Sequence, residues 1–63
     1  MNRDVRLKVA RIATGLSQFE LAQRVGISES TISKIETRRV NPAREVQQRI
    51  AVALGKARWE VFQ

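Results

Sequence analysis

The apolar positions of this 63-residue chain recur every three or four residues, which is the spacing of amphipathic helices. Leu21, Ala22 and Val25 share one face of a predicted helix, and Ile32 and Ile35 form a narrow apolar seam on the next one. No segment alternates apolar and polar residues with a period of two, so no strand is expected. The pattern predicts an all-α fold, a compact bundle of four to five short helices.

Capping residues mark the boundaries of the two central helices. Ser17, followed three residues later by Glu20, forms a capping box, and Ser28 is placed to cap the next helix. Gly26 lies between them, where a helix can end in a left-handed residue without a steric penalty. Residues 16–36 therefore read as two short helices joined by a tight turn.

A first helix is predicted over residues 3–14, ended by Gly15. Its apolar residues make two stripes rather than one. Either the helix is wedged between two neighbours, which we favour, or one stripe is left for a partner chain. The stripes consist of Val5, Val9 and Ile12, and of Leu7, Ala10 and Ala13.

A fourth helix is predicted to start with Asn41 as its N-cap and Pro42 as its first residue, where a missing N–H does no harm. Gly55 ends it. A last helical turn is expected from residues 58 to 62, with Val61 and Phe62 folding back onto the core.

The amino-acid composition limits the classes of function that are expected for this chain. Twelve Lys and Arg against six acidic residues give a net charge of +6, which favours a polyanion as partner. The chain has no Cys and no His, and no Gly-rich phosphate loop, so neither an enzyme nor a metal or cofactor site is expected. We read residues 1–63 as one domain with no membrane span or signal segment, and expect it in the cytoplasm.

The motif Leu-Ser-Gln-x-x-Leu-Ala-x-x-x-Gly-Ile-Ser-x-x-x-Ile-Ser-x-Ile-Glu, at residues 16–36, resembles the helix-turn-helix of the Cro and phage-repressor (lambda-repressor-like) family. The resemblance continues through residues 39–42 and 50–55. It implies a sequence-specific regulator of transcription that places a recognition helix, about residues 28–37, in the major groove of double-stranded DNA. It also implies association of the protein with the nucleoid.

The outward polar residues of that helix are the candidates for reading bases. Lys34 can donate to the acceptors of guanine, and we predict that it reads a G·C pair. Glu29 either accepts from the amino group of cytosine or only favours the helix dipole. The full set is Glu29, Ser30, Ser33 and Lys34.

Candidates for phosphate contacts lie on both sides of the recognition helix. The resemblance gives Gln18 a phosphate-clamping role at the start of the second helix, where free N–H groups attract anions. Arg38 stands where relatives commonly have Gly, and if that position is left-handed, Arg costs about 1 kcal/mol there. The full set is Gln18, Gln23, Thr37, Arg38, Arg39 and Arg44.

Two further predictions concern pairing. Arg11 and Glu36 match family positions that form a partly buried ion pair, the alternative being two independent surface charges. The resemblance also implies a homodimer on a palindromic operator, with half-sites ~34 Å apart. Trp59, Val61 and Phe62 are the candidate dimer residues, although Trp59 could instead cover the core.

Other functions remain open within and beyond this class. The chain could be a phage-like repressor, a restriction-modification controller or the antitoxin of a toxin pair. From another class, it could be a protein-interaction module that does not bind DNA. RNA binding is disfavoured, because no sheet with exposed aromatic residues is expected.

Overall fold

The computed structural model describes residues 4–62, which form five helices and no strand, so the predicted all-α bundle is confirmed. None of the helices in this range is long and apolar enough to cross a membrane. The first helix begins at Arg6; the expected start at residue 3 lies outside the described residues. The helices are α1 (Arg6–Ala13), α2 (Gln18–Val25), α3 (Glu29–Glu36), α4 (Arg44–Ala53) and α5 (Arg58–Val61).

The core sits where α2, α3 and α4 meet. Leu21, Ile32 and Ile50, one from each of these helices, are completely buried. Helix α2 packs against both α3 and α4, while α5 packs against α4 and α1. Helix α3 is thus held along one side, and its opposite side is left to solvent. The other buried apolar residues are Leu7, Leu16, Ala22, Val25, Ile35, Ala51, Leu54 and Val61.

The predicted caps of α2 and α3 are both present. The Ser17 hydroxyl accepts from the Glu20 N–H at 3.0 Å, and the Glu20 carboxylate accepts from the Ser17 N–H at 2.9 Å. This second bond keeps the pKa of Glu20 below its usual value. Gly26 is left-handed (φ 85°), and the Ser28 hydroxyl accepts from the Thr31 N–H at 3.1 Å. Local sequence signals therefore set both ends of the turn between α2 and α3.

The predicted start of the fourth helix is wrong. Helix α4 begins at Arg44, with Ala43 as an extended N-cap (ψ 155°), so Asn41 does not cap it and Pro42 is not its first residue. Residues 37–43 connect the end of α3 to α4, and the last three of them, 41–43, are non-helical and irregular. The Gln47 amide donates to the Pro42 carbonyl oxygen at 3.1 Å and ties this connection to the helix. Helix α4 therefore begins two residues later than the preference of proline for the first helical position predicts.

The prediction that α1 is wedged between two neighbours is also wrong. Val5, Val9 and Ile12 are exposed, with Val9 and Ile12 both at 58%. Leu7 of the other stripe is buried, but Ala10 is half-buried and Ala13 exposed. The main contact of α1 with another helix is with α5, so only one of its sides is covered. The alternative, a stripe available to a partner chain, stays a prediction.

The cap of α3 can be tested by substitution. We expect Ser28→Ala to lower the free energy of unfolding by about 1 kcal/mol, because the Thr31 N–H loses its acceptor. Ser30→Ala, at an exposed position on the same helix, is the matched control and should change it little. Thermal and urea unfolding measure both. Equal stability of the two variants would contradict the capping role.

Candidate nucleic-acid interface

Helix α3 turns a polar face outward. Ile32 and Ile35 are its two buried residues. Of the four residues predicted to read bases, Glu29, Ser30 and Lys34 are exposed and Ser33 is half-buried. The structure therefore brings this set together on one accessible surface, opposite the apolar seam.

A buried network holds the C-terminal end of α3. The Arg11 Nε donates to Glu36 Oε2 at 2.6 Å, and Arg11 Nη2 donates to Oε1 at 3.3 Å. The Arg11 and Glu36 side chains are only 10% and 4% exposed. Arg11 Nη1 also donates to the Leu16 carbonyl oxygen at 2.9 Å, between α1 and α2. These two residues are thus joined as a bidentate pair and are not independent surface charges.

Gln18 is part of the same network, although no local pattern in the sequence indicates this. Its Nε2 donates to Glu36 Oε1 at 3.0 Å, so the side chain is fixed at the first turn of α2. An amide nitrogen carries two hydrogens, and one remains for an anion in front of the helix. Gln23, further along α2, is exposed. Glu36 therefore connects α1, α2 and α3 through two partners.

Four of the residues predicted to contact phosphate lie after α3, and all of them are exposed: Thr37, Arg38, Arg39 and Arg44. The Thr37 hydroxyl donates to the Ser33 carbonyl oxygen at 2.9 Å. Within residues 4–62, the side chains of Arg39 and Arg44 have no hydrogen-bond or salt-bridge partner. Two guanidinium groups are therefore available in the loop after α3 and at the start of α4.

Arg38 differs from its neighbours in backbone and in pairing. Its φ is 62°, so the position is left-handed, the condition under which Arg was expected to cost energy. Its Nη1 lies 3.3 Å from Asp4 Oδ2. Asp4 also accepts from Arg6, and the side-chain bonds from Arg6 lower the pKa of Asp4 to about 2. No local pattern in the sequence indicates a role for Asp4, because its partner Arg38 lies 34 residues away along the chain.

The three candidate dimer residues divide into two groups. Trp59 is 72% exposed and so does not cover the core. Val61 is 2% exposed and packs in the core of its own chain, so it is not available to a partner. Phe62 is half-buried against that core. The prediction that Val61 and Phe62 fold back is confirmed, and the prediction that Val61 is a dimer residue is wrong.

The buried network should matter for stability. We expect Glu36→Gln to lower the free energy of unfolding by about 3 kcal/mol, because Arg11 is left as a buried unpaired charge. Glu29→Gln removes an exposed carboxylate from the same helix and should cost less than about 1 kcal/mol. Urea unfolding of both variants measures the difference. If Glu36→Gln were no more damaging than Glu29→Gln, the ion pair would not be an anchor.

Comparisons with known proteins agree with this geometry. A family described as "Helix-turn-helix domain" matches residues 5–60. An uncharacterized HTH-type transcriptional regulator of Methanothermobacter thermautotrophicus is 48% identical over 42 residues, which are 67% of this chain and 61% of the relative. A crystal structure of a hypothetical transcription factor, NHTF from Neisseria, superposes with a TM-score of 0.85 at 32% identity, covering 94% of this chain and 70% of that one. The chain belongs to the helix-turn-helix domain family.

Proposed function

We propose that this chain is a sequence-specific regulator of transcription that binds double-stranded DNA and acts as a repressor of the Cro and phage-repressor type. The observation that carries the proposal is the one-sided burial of α3, whose polar face is open to solvent. Arg39 and Arg44, which follow α3 along the chain, have no side-chain partner among residues 4–62. The names of the two relatives, both transcription regulators, support the same class.

The shape of α3 fits the major groove. An α-helix with its side chains is about 10–12 Å across, and the major groove is about 12 Å wide, so the exposed side of α3 can enter it. In the proposed complex its exposed side enters the groove while Ile32 and Ile35 stay in the core. Glu29, Ser30, Ser33 and Lys34 then contact base edges.

Phosphate contacts are proposed on both sides of that helix. On one side, the N-terminus of α2 presents its N–H groups together with Gln18, whose side chain is already fixed by Glu36. Gln23 is a further candidate on α2. On the other side, Arg39 and Arg44 supply positive charge. Thr37 is a further candidate, and its hydroxyl would have to leave the Ser33 carbonyl oxygen to donate to a phosphate. The net charge of +6 favours the approach to a polyanion.

A homodimer on a palindromic operator is part of the proposal. One short helix reaches only a few base pairs, and two copies read half-sites one helical turn apart. Trp59 supports a dimer contact, because a large side chain that is 72% exposed in the single chain suits an interface anchor.

Alternative regulator types share this chemistry. A restriction-modification controller or a DNA-binding antitoxin would use the same helix, and the proposed site of action is the nucleoid in the cytoplasm for each. A protein-interaction module without DNA is the alternative from a different class. Arg39 and Arg44, whose guanidinium groups have no partner in the part of the chain that the structure describes, favour DNA.

Selection from a random duplex pool tests the proposal directly. We expect recovery of a symmetric site with half-sites about one turn apart, and binding that weakens steeply as salt rises. Single-stranded RNA of equal length is the control ligand, and we expect duplex DNA to displace it from the protein. Absence of duplex binding in dilute buffer would refute the proposed function and favour the protein-interaction module.

Lys34 should control the choice of base. We expect Lys34→Ala to weaken binding to the selected site by about 1–3 kcal/mol and to relax the preference at one position, because a donor to guanine is lost. Arg39→Ala is the matched loss of charge and should weaken binding to all sequences about equally. Fluorescence anisotropy on a set of single-base variants measures this. Uniform weakening by Lys34→Ala would make Lys34 a phosphate contact instead.

Trp59 should control the oligomeric state. We expect Trp59→Ser to shift sedimentation from dimer to monomer and to weaken operator binding, because the proposed anchor is removed. Val52→Ser, which changes an apolar residue of 66% exposure on α4, should leave the mass unchanged. A dimer that survives Trp59→Ser would place the interface elsewhere.

A further inference from the structure

Three helices of this domain end in the same kind of turn, but one of them uses an unusual residue. Gly15 after α1 and Gly55 after α4 are left-handed, with φ of 79° and 67°. Arg38 occupies the equivalent place after α3, with φ of 62°. In each turn, the N–H of the left-handed residue donates to the carbonyl oxygen three residues earlier, and the N–H of the next residue donates to the carbonyl oxygen five residues before it. The accepting residues are Ile12 and Arg11 after α1, Ile35 and Lys34 after α3, and Val52 and Ala51 after α4.

Arginine is poorly suited to that place. Its Cβ crowds the backbone in the left-handed region, where glycine has no such penalty. The disadvantage is at least about five-fold in the equilibrium constant for forming the turn. An interaction of the Arg38 side chain, formed within the chain or on binding, would offset this cost.

The structure offers a partner within the chain. Arg38 Nη1 lies 3.3 Å from Asp4 Oδ2, and the Asp4 side chain is only 16% exposed. Asp4 is itself held in place, since its Oδ1 accepts from the Arg6 backbone N–H at 3.0 Å and from Arg6 Nε at 3.1 Å. Arg6 Nη1 in turn donates to the Trp59 carbonyl oxygen at 3.2 Å, which links α1 to α5.

We propose that Asp4 is a positioning residue for the DNA-binding surface, which holds Arg38 against the start of α1 and leaves Arg39 to meet the phosphate backbone. This replaces the expectation that Arg38 is itself a phosphate contact. The inference rests on the proposed function only in its statement about DNA; the pairing of Asp4 with Arg38 stands on the geometry alone.

The pair acts on the end of the recognition helix. The N–H groups of Arg39 and Val40 both donate to the Lys34 carbonyl oxygen, at 2.8 and 3.2 Å. A turn held by Asp4 therefore keeps the last turn of α3 wound, where Lys34 is proposed to read a base. It also fixes the point from which the Arg39 side chain leaves the backbone.

Hydrogen exchange tests the pairing. Asp4→Asn keeps an oxygen that can accept from the Arg6 N–H but removes the charge. We expect the Arg39 and Val40 amides to exchange about three-fold faster, as for the loss of one exposed ion pair. The Lys56 amide, at the equivalent place after α4, is the internal control and should be unchanged. Unaltered exchange at Arg39 and Val40 would overturn the positioning role.

The salt dependence of DNA binding tests the division between the two arginines. We expect Arg39→Ala to reduce the slope of log affinity against log salt by about 0.9, while Arg38→Ala leaves it unchanged. Arg38→Gly removes the same side chain but fits the left-handed backbone. It should give the same slope as Arg38→Ala, which would exclude a misfolded turn as the cause of the Arg38→Ala result. An equal loss of slope for Arg38→Gly and Arg39→Ala would overturn the inference. If the wild-type protein did not bind duplex DNA, the proposed function would be refuted. The hydrogen-exchange result would still decide whether Asp4 holds Arg38.

Discussion

The orientation of α3 depends on one buried carboxylate, that of Glu36. Arg11 and Gln18 satisfy it at 2.6 and 3.0 Å, so a single side chain joins the third helix to the first and the second. A buried charge without partners would be strongly unfavourable, and this makes alternative placements of the helix costly. Apolar contacts alone would be less restrictive, because only Ile32 and Ile35 of α3 are buried. Breaking the network is therefore costly, but well-packed apolar residues could supply comparable stability; what the network adds is a single orientation of α3.

A helix that must keep one face open has to be stabilised at its ends. Helix α3 has a serine cap at its start, and at its end it has both the Glu36 network and a hydrogen-bonded turn through Arg38. These interactions lie outside the exposed face formed by Glu29, Ser30 and Lys34. That face can therefore carry polar residues chosen for binding, since none of them is needed to hold the helix. The separation suits a small domain, which has few core residues to spare.

The parts of the structure that depend on residues close together along the chain could be predicted from the amino-acid sequence. The caps at Ser17 and Ser28, the left-handed Gly26 and the apolar seam of α3 all follow from local rules. The start of α4 could not be predicted in this way, because the chain needs residues 41–43 to connect α3 to α4, and this requirement outweighs the preference of Pro42 for a helix start. The exposure of the Val9 stripe depends on how many helices cover α1, and pattern alone does not give that number.

The site was predicted in outline for the same reason, whereas of its long-range bonds only the Arg11–Glu36 pair was expected, and that from the resemblance. The polar face of α3 follows from helical spacing, whereas the bond from Gln18 to Glu36 spans 18 residues and that from Arg38 to Asp4 spans 34. Tertiary packing also divides the positive charges into two groups, a division that the net charge conceals. The guanidinium groups of Arg6, Arg11, Arg38 and Arg58 are bonded to other residues of the chain, whereas in the described residues those of Arg24, Arg39, Arg44 and Arg49 are not. A count of arginines therefore overstates the charge that is free to meet a phosphate, and the pairing within the fold decides which side chains can do so.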